Sequence, residues 1–473
     1  MKNIVVLGAG FAGQTAALYL QQLLPREHQI YMVNPWPNFT FIPSLVWVGT
    51  GQMKPEQTLF ALEPVYRKFG INFVLGAATE IHPDTQKVVV EEKGGQRTEL
   101  PYDYLINATG PYLNYEGTPG LGPEHGATES ICNVPHARQA RDAYLEKVAR
   151  LEKGDKVKFV VGTGHGLATC QGAAFEYLNN INTDLVNRGL RDKADLLWVS
   201  NEPSLCDFGI DGLYAKANGY VMSADEFGRS IFGEFGIRYQ VQTAVKQVEK
   251  GRFFWENAQG ETGETTYDFA MLIPQFKGIP LKYVDKDGGD ITAKMTNPAG
   301  FALVDAAYGK KPPEVKPVDW PARYQNPLYP NVYSAGIAFA PPGPISKGFT
   351  TKNGTVITAS APRTGMAAGI IGRVAALNVV DQVAGRDPSH RMSMADMPGA
   401  CIASMGTSMR KGMAASILIN PLVPDYEKHP DYGRNIDSCH MELGLAGAWL
   451  KRLLHTLIKH KMSGKIGWRM IPE

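Results

Sequence analysis

The chain has 473 residues, of which 44% are hydrophobic, 20% charged and 10% aromatic, a composition that builds two or three folded domains and excludes a disordered or collagen-like protein. Its 48 basic and 46 acidic residues leave a net charge of +2, so no global field recruits nucleic acid as a main partner. Five scattered cysteines without a CxxC pair exclude a disulfide framework, and the sequence holds no apolar run of the roughly 18 residues that cross a bilayer as a helix.

Ile4 to Leu7 reads as a buried parallel strand, Gly8-Ala9-Gly10-Phe11-Ala12-Gly13 as a tight turn, Gln14 to Leu24 as a helix and Gln29 to Val33 as a second strand. This is a βαβ dinucleotide fingerprint. Its glycines permit the turn, let backbone approach a pyrophosphate and let helix pack on strand, while the helix N-terminus offers N–H groups to phosphate. Gly8, Gly10, Ala12 and Gly13 are therefore candidate cofactor residues. Asn34 stands where a ribose-binding acid is expected, and its amide can still donate to and accept from a ribose hydroxyl. The glycine turn begins too early for a signal peptide, so the expectation is a chain on the cytoplasmic side.

Tyr102 to Ile106 runs as a strand into Asn107-Ala108-Thr109-Gly110. A second βαβ unit follows, with a strand at Lys156 to Val161, the turn Gly162 to Cys170, a helix through Asn180 and a strand at Leu196 to Ser200. Leu167 takes the third glycine position of that turn, which argues against NAD. Cys170 falls in or near the first helical turn, where the dipole lowers a thiol pKa; a buried inert thiol is the alternative. Glu176, two turns on, reads as a surface acid.

Beyond about residue 385 the chain turns Met- and Gly-rich, and Leu443 to Ile458 then repeats apolar residues at three- and four-residue steps. With Trp449 and the basic residues Lys451, Arg452, Lys459, Lys461, Lys465 and Arg469, this reads as an amphipathic helix that docks on anionic lipid. A helix packed on the protein or on another subunit is the alternative.

The duplicated βαβ layout gives an α/β fold class: two Rossmann-like dinucleotide-binding domains with a C-terminal membrane-associating helical region. The expected boundaries are a discontinuous FAD domain over 1–115 and 290–384, a second domain over 116–289 carrying Cys170, and the C-terminal region 385–473. The Ala108-Thr109-Gly110 turn resembles the ATG motif of two-dinucleotide-domain flavoproteins, and Asn331 to Gly336 resembles their strand that returns to the FAD, with Ile337 where an Asp is common.

More specifically, the chain resembles the sulfide:quinone oxidoreductases, and more loosely the flavoprotein subunit of flavocytochrome c sulfide dehydrogenase. The matching strings are GAGFAG at 8–13, NFTFIPSLVWVGTG at 38–51, ESICNVPHA at 129–137, GLATCQGAAFEY at 166–177, IPQFKGIP at 273–280, NVYSAGI at 331–337 and APRTG at 361–365. The resemblance implies FAD, a membrane quinone as electron acceptor and sulfide or another small reduced sulfur species as donor, in a peripheral membrane protein that can assemble as a homo-oligomer. It places Pro43, Ala78, Ala108, Thr109, Gly110, Gly336, Ile337, Arg363 and Thr364 with the residues of the first turn and Asn34 at the cofactor.

In that family hydrosulfide attacks a bridged cysteine pair beside the flavin. Cys170 matches one member, and Ala338 stands where the other is expected. Cys132, which matches an additional family cysteine, is the candidate substitute. The resemblance also gives His136 a role in proton traffic and Lys277 one in stabilising negative charge near flavin or quinone, with a structural histidine and a solvated lysine as alternatives. Asp207 takes the place of a further family histidine. Two other readings stay open: a type II NADH:quinone oxidoreductase, with Glu202 as the acid for the nicotinamide-side ribose, and a flavin-binding subunit or sensor without turnover.

Overall fold

The computed structural model describes residues 1–217, 219–312 and 314–473. Two parallel sheets organise it. In the first, β1 (Asn3–Leu7) leads through α1 (Phe11–Leu23) to β2 (Gln29–Asn34), and β3 (Asn72–His82) and β4 (Tyr104–Asn107) flank the pair. Ile4 to Leu7 lie beside Tyr104 to Asn107 on one side and Ile30 to Val33 on the other, all in parallel register. With both faces covered, the strand needs the unbroken apolar run Ile4-Val5-Val6-Leu7, whose side chains are buried. The far half of β3 turns antiparallel and continues into the strands Lys87–Glu92 and Arg97–Pro101.

A long helix, α2 (Val134–Glu152), precedes the second sheet. There β5 (Val157–Thr163) leads into α3 (Gln171–Asn187) and β6 (Ala194–Val199), and the sheet runs in the order β7 (Arg238–Gln240), β6, β5, β8 (Phe269–Ile273), again parallel. The chain then returns to the first sheet, where β9 (Val332–Ser334) pairs with β4. Helix α4 (Gly365–Val383) lies against α1 at a distance set by small residues: a side chain at Gly372 would collide with the Ala12 backbone. Among the described residues α4 alone has the length and apolarity to cross a membrane, and most of it is buried in this packing.

The Met-rich C-terminal stretch folds as an antiparallel sheet of β10 (Gly399–Met405), β11 (Met413–Ile419) and β12 (His440–Gly444), on which α5 (Leu445–Met462) packs. Leu443 is therefore a strand residue, and the amphipathic helix starts two residues later than its periodicity suggests. Two lysines expected on the basic face turn inward. Lys451 donates to Glu176 at 2.8 Å and Lys461 to Glu473 at 3.0 Å, with side chains 8% and 1% exposed. An unpaired ammonium would not be retained at such depth.

Candidate active site

The first glycine turn is packed on its inner side and open on its outer side. Gly8 has φ +92°, and a Cβ there would strike the Ala108 carbonyl; one at Gly13 would strike the carbonyl of Gly8. At Gly10, by contrast, nothing among the described residues lies within 4 Å of where a Cβ would stand. Gly10 also caps α1 without a side-chain hydrogen bond, so the first helical N–H groups remain available, as a pyrophosphate requires. Asn34 holds this turn in shape: its Oδ1 accepts from Ala9 N at 2.9 Å and its Nδ2 donates to the Trp36 carbonyl at 2.6 Å.

The other residues expected at the cofactor fall in several places. Thr109 donates through its backbone N and its hydroxyl to Asn107 Oδ1 at 3.2 and 2.8 Å, ahead of Gly110 with φ +78°. Gly336, Ile337, Phe339, Arg363, Thr364 and Ala367 line one narrow cleft. Arg363 spans it, donating to the Ile337 and Phe339 carbonyls at 3.0 and 3.2 Å and stacking 4.5 Å from the centre of the Phe301 ring. Thr364 caps α4 through Ala367 N. Pro43 sits in a 3-10 turn at Ile42–Ser44, and Ala78 lies in β3 opposite Val90, packed on the Val5, Leu7 and Val33 cluster. An open phosphate turn, an uncapped helix and a cleft bridged by a buried guanidinium fit FAD.

The second turn is closed. A Cβ on Gly166 would strike the Val356 carbonyl, because residues 356–361 lie across the turn. Thr358 N donates to the Gly166 carbonyl at 2.8 Å, Ser360 N to Ala168 at 3.1 Å, and the Ser360 hydroxyl to Leu167 at 2.9 Å. Asn201 secures the arrangement from just beyond β6, its Nδ2 donating to the Gly166 and Ala168 carbonyls at 3.0 Å each. Glu202, the candidate ribose acid, is fully buried and accepts from the Ser200 hydroxyl and from Phe208 N at 2.6 Å each. Its carboxyl is thus spent inside the protein, and burial pushes it up to about 8.

Cys170 is the N-cap of α3, at φ +64°, one position before the first helical turn. The thiol is not depressed as its place near a helix N-terminus suggested. Burial pushes it up to about 12, the neighbouring Cys132 adds to the rise and Arg363 opposes it. Thr169 donates its hydroxyl to the Ala361 carbonyl at 3.1 Å, which holds the Cys170 turn against the Arg363 segment. The Cys132 thiol is partly buried and also pushed up by desolvation, within hydrogen-bond reach of Ser130 and Tyr115. Ala338 is buried in the turn whose flanking carbonyls Arg363 holds, so no sulfur stands there.

Two neighbours were not anticipated. The Cys401 sulfur, from β10, lies 3.1 Å from where a Cβ on Gly172 would stand, close to the start of α3. Glu176, expected at the surface, is buried with Lys451, and its Oε1 accepts from the Ser404 hydroxyl. Lys277 pairs with Tyr112 in a short ribbon between the two units and faces His165, whose imidazole is pushed down by burial and by Lys246 and Lys277. His136 lies under Tyr115, ring centres 6.0 Å apart, with its Nε2 3.4 Å from Glu124. Asp207 is buried and pushed up to about 6, accepting from Ser346 and the backbone of Gly209 and Gly212.

An FAD-competent first unit, a covered second unit and thiols beside the cleft define a flavoprotein oxidoreductase of the two-dinucleotide-domain class. Residues 2–175 match the pyridine nucleotide-disulphide oxidoreductase family. Sulfide-quinone reductase of Aquifex aeolicus is 29% identical over 428 residues, covering 90% of this chain and 85% of that protein. The solved sulfide:quinone oxidoreductase of the same bacterium superposes with a TM-score of 0.78 at 25% identity, covering 98% of this chain and 92% of that one. An external alternative NAD(P)H-ubiquinone oxidoreductase of Arabidopsis thaliana is 28% identical over 60% of this chain and 49% of its own length. The chain is thus similar to sulfide:quinone oxidoreductases along nearly its whole length and is an FAD-dependent oxidoreductase, with Ala338 where the resemblance leads one to expect a redox cysteine.

Proposed function

We propose that the chain oxidises sulfide, or a related reduced sulfur species, at Cys170 and delivers the electrons to a membrane quinone while lying on the bilayer surface. The observation that carries this reading is Cys170 placed where Cys132 and Arg363 both act on its thiol, at the end of a turn closed to a second dinucleotide. Bound FAD supplies the two-electron acceptor between sulfur and quinone. Cys170 is the sulfur-accepting residue and Cys132 its resolving partner. Closing their two thiols into a disulfide removes two protons and two electrons. Hydrosulfide then opens that disulfide: the bond between the cysteines breaks, a sulfur–sulfur bond forms on Cys170, and Cys132 leaves as a thiolate.

Arg363 is the cation that faces the Cys170 sulfur and makes thiolate accessible in a buried site. His136 handles protons, and Lys277, with Lys246 and His165, presents positive charge at the ribbon between the units. Docking on lipid is supported by α5, whose Trp449, Leu450 and Leu453 are exposed next to Arg452 and Lys459, with Ile466 and Met470 beyond the helix. The NADH reading is disfavoured by the occupied Glu202 and the covered Gly166 turn.

Anaerobic titration of the detergent-solubilised holoprotein tests the proposal. Sulfide should bleach the visible flavin band and a short-chain quinone restore it. Bleaching by NADH and not by sulfide would move the chain to the dehydrogenase reading, and silence towards both would favour the role without turnover.

A further inference from the structure

Neither thiol can join the other while it keeps its proton, and both are partly buried. We propose that Tyr115, Ser130, His136 and Glu124 form a proton line between Cys132 and the surface, through which the thiol sheds its proton before the disulfide closes; the inference rests on the reading of Cys132 as the resolving thiol.

The direction is written in the hydrogen bonds. The Cys132 thiol lies within reach of the Tyr115 and Ser130 hydroxyls. Tyr115 donates to Ser130 Oγ at 2.7 Å, and that oxygen also accepts from Cys132 N at 3.2 Å. With both its lone pairs engaged, Ser130 has its own hydrogen left for His136 Nδ1 at 3.3 Å. Asn133 fixes the imidazole tautomer. As N-cap of α2 it uses Oδ1 to accept from His136 N at 2.8 Å, which turns its Nδ2 hydrogens toward His136 Nδ1 at 3.1 Å. Nδ1 therefore faces two donors and carries no hydrogen, and Nε2 carries the ring proton, 3.4 Å from Glu124 Oε1.

The outer end of the line opens to water. The His136 side chain is 9% exposed and that of Glu124 is 72% exposed. A proton leaving Cys132 passes to the Tyr115 oxygen as the phenol hydrogen moves to Ser130. The Ser130 hydrogen moves to Nδ1, and the Nε2 hydrogen leaves through the Glu124 carboxylate to water. Each link gives one proton and takes one, so no charge is stranded in the interior, where it would be costly. Tyr115, Ser130, Asn133 and Glu124 act here as positioning and relay groups.

The variants Y115F and H136A of the holoprotein test this, with FAD content and thermal midpoint as folding controls. Bleaching by sulfide should slow by at least about tenfold in each, with a changed solvent isotope effect, and the double variant should be no slower than the slower single. Imidazole in the buffer should restore H136A and leave Y115F slow. In wild type, ¹⁵N-labelled histidine should report His136 as the Nε2–H tautomer. A Y115F protein that bleaches at the wild-type rate, or effects that multiply in the double variant, would overturn the proposal. So would a hydrogen on Nδ1, a result that needs no sulfide turnover. A wild-type protein that sulfide does not bleach defeats the functional reading instead, and the tautomer still decides the direction of the line.

Discussion

The two glycine turns of this chain start from the same local grammar and end in opposite states. At 8–13 the turn is filled from below by Ala108 and left bare above Gly10, so an anionic group can reach the α1 N-terminus. At 162–170 the corresponding surface is occupied by residues 356–361, hydrogen-bonded to the carbonyls of Gly166, Leu167 and Ala168. Duplication of a fold thus need not duplicate a site. In the second unit the helix starts at a thiol where the first offers open backbone, and under the proposed function the phosphate site gives way to sulfur chemistry.

The contrast breaks most completely at Cys170. Cys170→Ser keeps the buried N-cap position and removes the sulfur, so bleaching by sulfide should fall by on the order of a thousandfold or more with FAD content unchanged. Stopped-flow absorbance reads this directly, and a Cys170→Ser protein that sulfide still reduces at the wild-type rate would remove the second unit from the chemistry.

Glycine substitutions sharpen the same comparison. Gly8→Ala places a methyl against the Ala108 carbonyl at a positive φ and should cost roughly 3–5 kcal/mol together with FAD retention. Gly166→Ala meets the Val356 carbonyl, so it should cost about 1–3 kcal/mol and loosen 356–361 with FAD retained. Gly10→Ala has room for its methyl and should leave the apoprotein within about 0.5 kcal/mol while weakening FAD. Thermal unfolding with and without added FAD separates the three. Equal FAD loss in Gly8→Ala and Gly166→Ala would contradict an open and a closed turn.

These turns were legible in the sequence because glycine spacing, an apolar strand and a helix are local signals within about 30 residues. What covers the second turn was not, since Val356 to Ala361 meets it from far along the chain with an unremarkable string of residues. The same holds at the thiols. Helix position drew attention to Cys170, but the sign of its shift depends on burial by distant segments, and Cys401 arrives from the C-terminal sheet. Glu176 looked like a surface acid because its partner, Lys451, sits on a helix whose spacing suggested a solvated basic face. Periodicity identifies a face; it does not say which lysine turns inward.

That ion pair joins the C-terminal helix to the helix that carries Cys170 at its start, so it links the C-terminal region to the covered unit. Lys451→Met leaves a buried carboxylate without its cation and should cost about 3–5 kcal/mol in chemical denaturation. Adding Glu176→Leu should recover most of the loss, because two apolar side chains of similar volume need no hydration. If the double variant is as unstable as the single, the pair is held by more than mutual charge, and Ser404 becomes the group to test.

The smallest effect concerns the acid that the covered unit keeps inside. Glu202 is raised first by burial and further by Asp207, while Ser200 and Phe208 N partly offset the rise. Its carboxyl holds a proton up to about 8 in the folded chain and loses it near 4.5 in the unfolded one. Between those values the folded state binds more protons, so stability is fully present below the lower value and is lost as pH rises through the upper one. Glu202→Gln carries no charge to bury and should flatten that decline, its gain over wild type growing as pH rises from about 4.5 to about 8 and vanishing below 4.5. Its flavin should remain unbleached by NADH. Were NADH to reduce wild type and not Glu202→Gln, the acid would be serving a ribose after all, and the two turns would be alike in function as well as in sequence.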